Sequence, residues 1–115
     1  MQRECRLRKG PEFDSVYAKG TVVGGPLLVL RHAPNDVGHP RWGFAVGKKL
    51  AKQAVRRNRT RRKLREVARL LALGASADFV VTARKEAMSA NARQLRAALI
   101  RALRRAGYEI GEPEV

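Results

Sequence analysis

Residues Lys48 to Glu66 read KKLAKQAVRRNRTRRKLRE and carry the densest charge in the chain. Ten of these positions are basic, and no acidic residue interrupts them before Glu66. A helix built on such a run repels itself, and a polyanion placed against it relieves that repulsion. Nucleic acid is the polyanion that this pattern favours, because every phosphate contact releases counterions. The basic residues are Lys48, Lys49, Lys52, Arg56, Arg57, Arg59, Arg61, Arg62, Lys63 and Arg65.

The run opens a predicted helix from about Lys52 to Leu73, and the two halves of that helix differ. The apolar residues of the second half recur at i, i+3, i+4 and i+7 and therefore share one face. They are Leu64, Val67, Ala68 and Leu71. Followed toward the N-terminus, this face reaches Thr60 and Arg57, and burying an unpaired arginine would cost several kcal/mol. We therefore expect the second half to pack on a sheet and the first half to project past it or border a groove.

The basic residues in the first half of the predicted helix favour phosphate binding but destabilise the helix. Cations at a helix N-terminus are unfavourable, whereas the free N–H groups there favour an anion. Asn58 is neutral, and its amide can bind a base edge, a 2′-hydroxyl or a neighbouring arginine. The alternative interpretation is a solvated helix face, but such faces usually place Glu four residues before Lys, and this one does not.

Shorter patterned segments predict the remaining elements. Pro11 to Lys19 suits a helix that Gly20 stops, and its stripe of Phe13, Val16 and Tyr17 favours core packing, with an aromatic edge for stacking bases as the alternative. The other elements are strands at Thr21–Val23, Leu27–Arg31, Trp42–Val46 and Asp78–Ala83, a loop at Ala33–Pro40, and a last helix, capped by Ser89 or Asn91, to about Ala106. The α-β-β-β-α-β-α order implies an α+β fold, a two-layer α/β sandwich with helices packed on one sheet.

Alternation and helical spacing predict the core. Trp42, Phe44 and Val46 alternate onto one face of their strand. The last helix has an apolar stripe at helical spacing, which indicates a docked face. This stripe consists of Leu95, Leu99, Ala102 and Leu103.

Length and composition limit the class of protein. A chain of 115 residues is expected to form one domain, with loose ends at residues 1–9 and 108–115. Its net charge of +15 and pI near 11.5 suit a nucleic-acid binder, and the clustering of the charge disfavours a merely soluble basic protein. Cys5 is the only cysteine, which fits a reducing cytoplasm. No apolar run approaches the roughly 18 residues that span a bilayer, so we expect no membrane association.

The sequence lacks the residue sets of protein-based catalysis. His32 and His39 lie in or near the predicted loop and are expected at the surface, and no third ligand is close enough to make them a metal site. The acidic residues are scattered and form no pair that would hold a catalytic metal, and no Ser-His-Asp or Cys-His set is evident. Gly43 to Lys49 misses both the spacing and the hydroxyl of a phosphate-binding loop. The residues alone therefore indicate a protein that binds RNA or DNA and does not itself catalyse.

Two motifs flank the start of the basic helix. R-x-G-F-x-V-x-K-K occupies Arg41 to Lys49, and A-V-x-R-N-R-x-x-R-x-x-R-E occupies Ala54 to Glu66. In this combination they closely resemble the bacterial ribonuclease P protein subunit. Further matches to that family are Arg6-Leu7, Phe13, Val16-Tyr17, Gly20, Asp78–Val81 and Ala83–Lys85. The resemblance spans nearly the whole chain.

The resemblance implies a fold like one domain of a small-subunit ribosomal protein, with a left-handed β-α-β crossover in place of the usual right-handed one. Residues 1–115 would form a single RNA-binding domain that assists a large catalytic RNA in removing the 5′ leader of precursor tRNA. That RNA would hold the Mg²⁺ ions and cut the phosphodiester, and the protein would lower the divalent-ion requirement. The implied partners are the ribonuclease P catalytic RNA and precursor tRNA in the cytoplasm, with no obligate protein partner and no organic cofactor.

The resemblance also assigns residues to two functions. The resemblance places Arg57, Asn58, Arg59, Arg62 and Arg65 against the catalytic RNA, with Lys48 and Lys49 flanking the same surface. We expect Lys52, Arg56 and Arg61 of the basic run to bind that RNA as well. The residues that would bind the leader are Phe13, Tyr17, Arg31 and Phe44. Stacking on aromatic side chains is worth roughly 1–3 kcal/mol per base and tolerates any sequence, which suits many different precursors.

Two positions depart from the family pattern. Arg31 stands where many relatives carry an aromatic residue, so a guanidinium stack or a phosphate contact would replace ring stacking and make leader binding more salt-dependent. Gly47 stands where serine is frequent, so a hydroxyl contact would be lost. Two other functions remain open at this point, a structural RNA-binding protein such as a ribosomal component and a nuclease that acts alone.

Overall fold

The computed structural model describes residues 2–8 and 10–111. Within them the helices and strands follow the predicted order, α-β-β-β-α-β-α, and short 3-10 turns stand at Arg3–Cys5 and Lys85–Ser89. The elements are α1 (Pro11–Lys19), β1 (Thr21–Gly24), β2 (Leu28–Pro34), β3 (Arg41–Ala45), α2 (Ala54–Arg69), β4 (Ala77–Ala83) and α3 (Ala92–Arg105).

The strands form one sheet in the order β1-β2-β4-β3. β2 pairs antiparallel with β1 and with β4, whereas β3 pairs parallel with β4. Parallel neighbours cannot be joined by a hairpin, so α2 serves as the crossover between β3 and β4. The left-handed sense of that crossover stays a prediction. Since β3 is an edge strand, the start of α2 lies near an edge of the sheet.

One face of the sheet carries the main core. Trp42, Phe44 and Val46 all lie in it, which confirms the predicted alternation, and the Trp42 and Phe79 rings stack with centroids 4.6 Å apart. Both predicted helical stripes pack on this face. Their buried residues are Leu64, Val67, Ala68, Leu95, Leu99, Ala102 and Leu103.

Helix α3 begins at a capping box. The Asn91 side chain accepts a hydrogen bond from the Gln94 N–H, and the Gln94 side chain accepts one from the Asn91 N–H. Asn91 is therefore the cap, and Ser89 belongs to the preceding 3-10 turn. Within residues 2–8 and 10–111, we find no helix with the length and apolar character needed to cross a membrane.

Helix α1 covers the opposite face of the sheet. Val16 is buried there against Leu7 and Val80. The Phe13 ring lies so close to Gly43 that a Cβ at that position would overlap it. A side chain at position 43 would therefore displace the Phe13 ring, and glycine permits the close contact.

Strand β2 runs past its predicted end. A loop was expected from Ala33, yet Ala33 and Pro34 pair with Asp78 and Ala77 of β4. The composition of this segment favours a loop, and the neighbouring strand overrides that local preference.

Helix α2 is shorter than predicted at both ends. It runs from Ala54 to Arg69 in place of Lys52 to Leu73. Lys48–Leu50 forms a separate turn, closed by a bond from the Leu50 N–H to the Gly47 carbonyl. The predicted contrast between its halves is confirmed, because burial begins at Thr60 and no residue before it is buried.

The N-terminal segment packs on the fold, in contrast to the loose end expected at residues 1–9. Leu7 is buried, and its N–H donates to the Trp42 carbonyl at 2.8 Å. This bond holds the segment alongside the edge strand β3. Residues 1 and 9 lie outside the described part of the chain.

The C-terminal segment is also held, up to Gly111. The Tyr108 hydroxyl lies 2.8 Å from Nδ1 of His32, and the Tyr108 ring meets Phe79 edge-on at 5.0 Å between centroids. The Gly111 N–H donates to the Ala72 carbonyl at 2.8 Å. His32, expected at the surface, is therefore half-buried under this segment. Residues 112–115 of the expected loose end lie outside the described residues.

Candidate nucleic-acid interface

The first half of α2 and the turn before it form an exposed basic surface. Val55 in its middle is 68% exposed, so this part of the helix covers no core. Arg57, Arg61 and Arg65 are half-buried at its margins. The exposed residues, which we call the α2 basic surface, are Lys48, Lys49, Lys52, Arg56, Asn58, Arg59 and Arg62.

The α2 basic surface keeps its charge unneutralised. Among the residues that the structure describes, no carboxylate lies within 4.0 Å of any of its cationic groups. The ion pairs lie elsewhere, and one of them joins Arg69 to Glu66 at 2.8 Å at the far end of α2. The hydrogen bond from Arg69 lowers the pKa of Glu66. Positive charge is therefore balanced at the C-terminal end of α2 and left unbalanced at its N-terminal end.

Arg57 ties the turn to the helix. Its Nη1 donates to the carbonyl oxygens of Ala51 at 2.7 Å and Lys52 at 2.8 Å. Hydrogen bonds from a charged donor are roughly twice as strong as neutral ones, so they fix the path of the chain into α2. Arg57 therefore acts on the basic surface partly by holding in place the turn that carries Lys48 and Lys49.

Asn58 and Arg61 interact across one turn of α2. Nη2 of Arg61 donates to Oδ1 of Asn58. Of the partners expected for the Asn58 amide, the neighbouring arginine is the one that this arrangement provides. The bond uses the acceptor of Asn58 and leaves its NH₂ group to donate to a phosphate, a base edge or a 2′-hydroxyl.

A recess of about 200 Å³ opens at the sheet edge, between the start of α1, β3 and α2. Nε of Arg65 is buried and has no hydrogen-bond partner within the described residues. A buried donor on a charged group costs free energy when it has no partner. A ligand that accepts a hydrogen bond from Arg65 would therefore bind more tightly. The recess is lined by Arg6, Leu7, Phe13, Trp42, Gly43, Phe44, Arg61 and Arg65.

The N-terminal segment contributes arginines that the sequence reasoning missed. Arg3, Arg6 and Arg8 line a wider depression of about 770 Å³, which shares Arg65 with the recess. A parallel bridge between Arg6 and Trp42 brings this segment beside β3. The charge of these arginines is visible in the sequence, but no local spacing indicates that they meet α2.

Arg41 lines the same depression, but its charge is engaged. It makes a bidentate contact with Asp78, from Nε to Oδ1 and from Nη2 to Oδ2, both at 2.8 Å. The hydrogen bond to Asp78 raises the pKa of Arg41 above its ordinary value. Glu12 adds a second carboxylate at 3.4 Å. Arg41 therefore joins β3, β4 and α1 and offers less free charge than its neighbours.

Three of the four predicted leader-binding residues lie together on the α1 face of the sheet. Phe13, Tyr17 and Arg31 make up what we call the aromatic edge. Arg31 Cζ lies 4.7 Å from the centroid of the Tyr17 ring, and its Nη1 lies 3.5 Å from the Thr82 hydroxyl. Tyr17 is 46% exposed, whereas Phe13 is half-buried over Gly43. The edge thus presents a ring and a guanidinium group on which bases can stack.

Phe44, the fourth predicted leader-binding residue, lies apart from these three, and its role in leader binding stays a prediction. It alternates with Gly43 along β3, so its ring points to the opposite face of the sheet from Phe13. There it stacks on Trp42 with centroids 6.1 Å apart and is only 7% exposed. Its position in the alternation predicts this burial, and the structure therefore separates it from the aromatic edge.

Known proteins resemble this chain in sequence. A family model described as Ribonuclease P matches residues 1–107. The ribonuclease P protein component of Xanthomonas oryzae pv. oryzae is 40% identical over 106 residues, which cover 91% of this chain and 72% of the relative. That of Pelotomaculum thermopropionicum is 35% identical over 102 residues, 87% of this chain and 90% of the relative.

Two solved structures share the fold of this chain. The RNase P protein of Staphylococcus aureus superposes with a TM-score of 0.78 at 30% identity, covering 90% of this chain and 95% of that one. The Thermotoga maritima RNase P protein gives a TM-score of 0.79 at 26% identity, covering 87% of this chain and 96% of that one. The similarity in sequence and the similarity in fold cover nearly the same residues, and these include both motifs. The chain belongs to the ribonuclease P protein family.

Proposed function

We propose that this protein acts as the protein subunit of ribonuclease P and binds the RNA subunit through the α2 basic surface. The observation that carries the proposal is the exposed charge of the first half of α2, which no described carboxylate neutralises. The second half of the same helix packs in the core and so fixes the position of the first half. Such contacts read phosphates and not base sequence.

The aromatic edge takes the single-stranded 5′ leader of precursor tRNA in this proposal. Tyr17 and Arg31 already stack on each other, and the exposed part of the Tyr17 ring offers a face to a base. Because Arg31 carries charge, part of its contribution comes from the leader phosphates and weakens with salt. Arg65, Arg61 and Phe13 line the recess that connects the α2 basic surface with this edge.

Cleavage of the phosphodiester belongs to the RNA subunit, which also holds the Mg²⁺ ions. Three of the carboxylates that the structure describes already pair with arginines, which makes them less available to a metal ion. Asp78 and Glu12 bind Arg41, and Glu66 binds Arg69. The protein instead supplies positive charge, which reduces the repulsion between the RNA and its substrate and so lowers the need for Mg²⁺.

We further propose that the protein works in the cytoplasm, with precursor tRNA as the substrate of the assembled enzyme and with no obligate protein partner. The free thiol of Cys5 is compatible with a reducing compartment.

Reconstitution with the organism's own RNA subunit tests the proposal. We expect the protein alone to leave precursor tRNA intact. The RNA together with the protein should remove the leader at a Mg²⁺ concentration at which the RNA alone is slow. Cleavage by the RNA-free protein would contradict the assignment of catalysis to RNA. An unchanged Mg²⁺ requirement on adding the protein would contradict its role as the subunit.

A further inference from the structure

A second basic face lies on α3, which packs beside α2 on the same face of the sheet. The helix reads ARQLRAALIRALRR and contains five arginines and no acidic residue. Its core stripe points at the sheet, the helical period of 3.6 places four of the arginines away from it, and Arg96 lies half-buried at the margin. They are Arg93, Arg96, Arg101, Arg104 and Arg105, and we call them the α3 arginine face.

Interactions within the protein account for only some of these arginines. Arg104 and Arg105 lie in the last turn, where the helix dipole favours cations, and Arg105 donates to the Gly24 carbonyl at 2.8 Å. Arg93 lies in the first turn, where the dipole disfavours a cation. No carboxylate of the described residues pairs with any of the five. The charge of Arg93 and Arg101 therefore has no internal explanation.

The composition of the face points to phosphate. A face kept for solubility mixes lysine with glutamate, and α3 contains neither. Arginine presents a planar fork that matches phosphate oxygens in pairs, which lysine does not. At 1.5 Å per residue, Arg93 and Arg104 stand about 16 Å apart along the axis, a span of several phosphates.

The shape of the face admits a backbone. A shallow depression of about 580 Å³ runs along α3 between the guanidinium groups. Ala97 is exposed within it, and the half-buried Ile100 also lines it. The helix carries no aromatic residue, in contrast to the aromatic edge, so it has nothing on which an unpaired base can stack. The chemistry fits the outside of a double helix better than a single strand.

We infer that the α3 arginine face is a second RNA-binding surface, which takes the phosphate backbone of a double-helical RNA segment distinct from the one at the α2 basic surface. This inference rests on the proposed function, because it places both segments in the RNA subunit. The two surfaces would hold that RNA at two points and fix the orientation of the protein on it.

Cleavage by a tethered probe separates this inference from the proposed function. Cys5→Ser removes the only thiol, and single cysteines are then introduced at Ala97, Gln53 and Leu70 and labelled with an iron chelate that releases hydroxyl radicals. Ala97 marks the α3 arginine face and Gln53 the α2 basic surface. Leu70 is the matched control, since it is exposed beside the balanced Arg69–Glu66 pair.

We expect the probes at Ala97 and Gln53 to cut the bound RNA subunit at two different segments, with the Ala97 cuts in a base-paired one. Cuts from Gln53, with Ala97 cutting no more than Leu70, would overturn the inference and leave the proposed function standing. Absence of cuts from both Ala97 and Gln53 would count against the proposed function as well.

Salt dependence gives an independent readout on folded variants. The double variant Arg93→Gln/Arg101→Gln should flatten the plot of log affinity against log salt by about two units, roughly one per lost phosphate contact. Arg93→Lys/Arg101→Lys keeps the charge and should restore the slope. An unchanged slope for the glutamine variant, with circular dichroism showing the wild-type fold, would mark the face as solvated surface.

Discussion

The two halves of α2 share one helix and have opposite surroundings. From Thr60 onward the helix buries Thr60, Leu64, Val67 and Ala68 in the core, whereas Val55 in the first half is 68% exposed. Charge follows the same division, since the Arg69–Glu66 pair balances the end of the helix and nothing described balances its start. The proposed function therefore places stability and RNA binding in adjacent turns of a single helix. Substitutions in the two halves should therefore affect different measurements.

The largest effect is expected from truncating an apolar side chain in the docked half. Leu64 is 0% exposed, so Leu64→Ala should lower the free energy of unfolding by about 2–5 kcal/mol through lost contacts and a cavity. Urea unfolding followed by circular dichroism measures it. Val55→Ala is the matched control in the first half and should change stability by less than about 0.5 kcal/mol. Similar losses for both variants would break the comparison between the halves.

Arg57 and Arg62 should behave differently, because only Arg57 makes hydrogen bonds within the described part of the protein. Arg62→Ala should leave unfolding unchanged and weaken binding to the RNA subunit about tenfold, or about 1.4 kcal/mol. Arg57→Ala should weaken binding and also lower stability by about 1–3 kcal/mol, since it removes the bonds to Ala51 and Lys52. Filter binding and urea unfolding measure the two quantities. Equal stability for both variants would show that the Arg57 bonds are unimportant.

The aromatic edge allows the same separation on the other face of the sheet. Tyr17→Ala should weaken binding of precursor tRNA by about 1–2 kcal/mol through lost stacking, with little change for mature tRNA and little loss of stability. Phe13→Ala should also destabilise the fold, because the Phe13 ring packs over Gly43. Affinities of the reconstituted enzyme for both RNAs measure the difference. Equal weakening for precursor and mature tRNA would mean that these rings serve only the core.

The smallest effect concerns His32 and pH. Burial lowers the pKa of His32 below its ordinary 6.5, and its Nε2 has no partner within the described residues. The folded state then binds fewer protons than the unfolded chain, so stability is complete above about pH 6.5 and falls as the pH drops toward the lowered pKa. The slope should not exceed about 1.4 kcal/mol per pH unit. Urea unfolding at several pH values should show this decline in the wild type and a flatter profile in His32→Gln, and matching profiles would remove His32 as the cause.

Local patterns predicted most of the fold. Pro11 and Gly20 set the bounds of α1, and the stripes of α2 and α3 identified the buried faces, because helical periodicity and caps are local properties. Ala33 and Pro34 were missed, since their strand conformation depends on pairing with β4, far along the chain. The position of Tyr108 against His32 was missed for the same reason.

The sequence predicted the charge of the site but not the contacts between its residues. The exposed basic run follows directly from the residues, but the bonds of Arg57 to Ala51 and Lys52 depend on the path of the turn. The meeting of Arg6 with Arg65 across the recess depends on a bridge from Arg6 to Trp42. The burial of Phe44 follows from its alternation along β3, whereas its predicted part in leader binding stays a prediction.

The salt dependence of binding to the RNA subunit tests most directly whether the first half of α2 meets phosphates. With about six phosphate contacts, log affinity should fall against log salt with a slope of about −5, as measured between about 50 mM and 200 mM salt. A slope near zero at unchanged fold would contradict a phosphate-binding surface on α2.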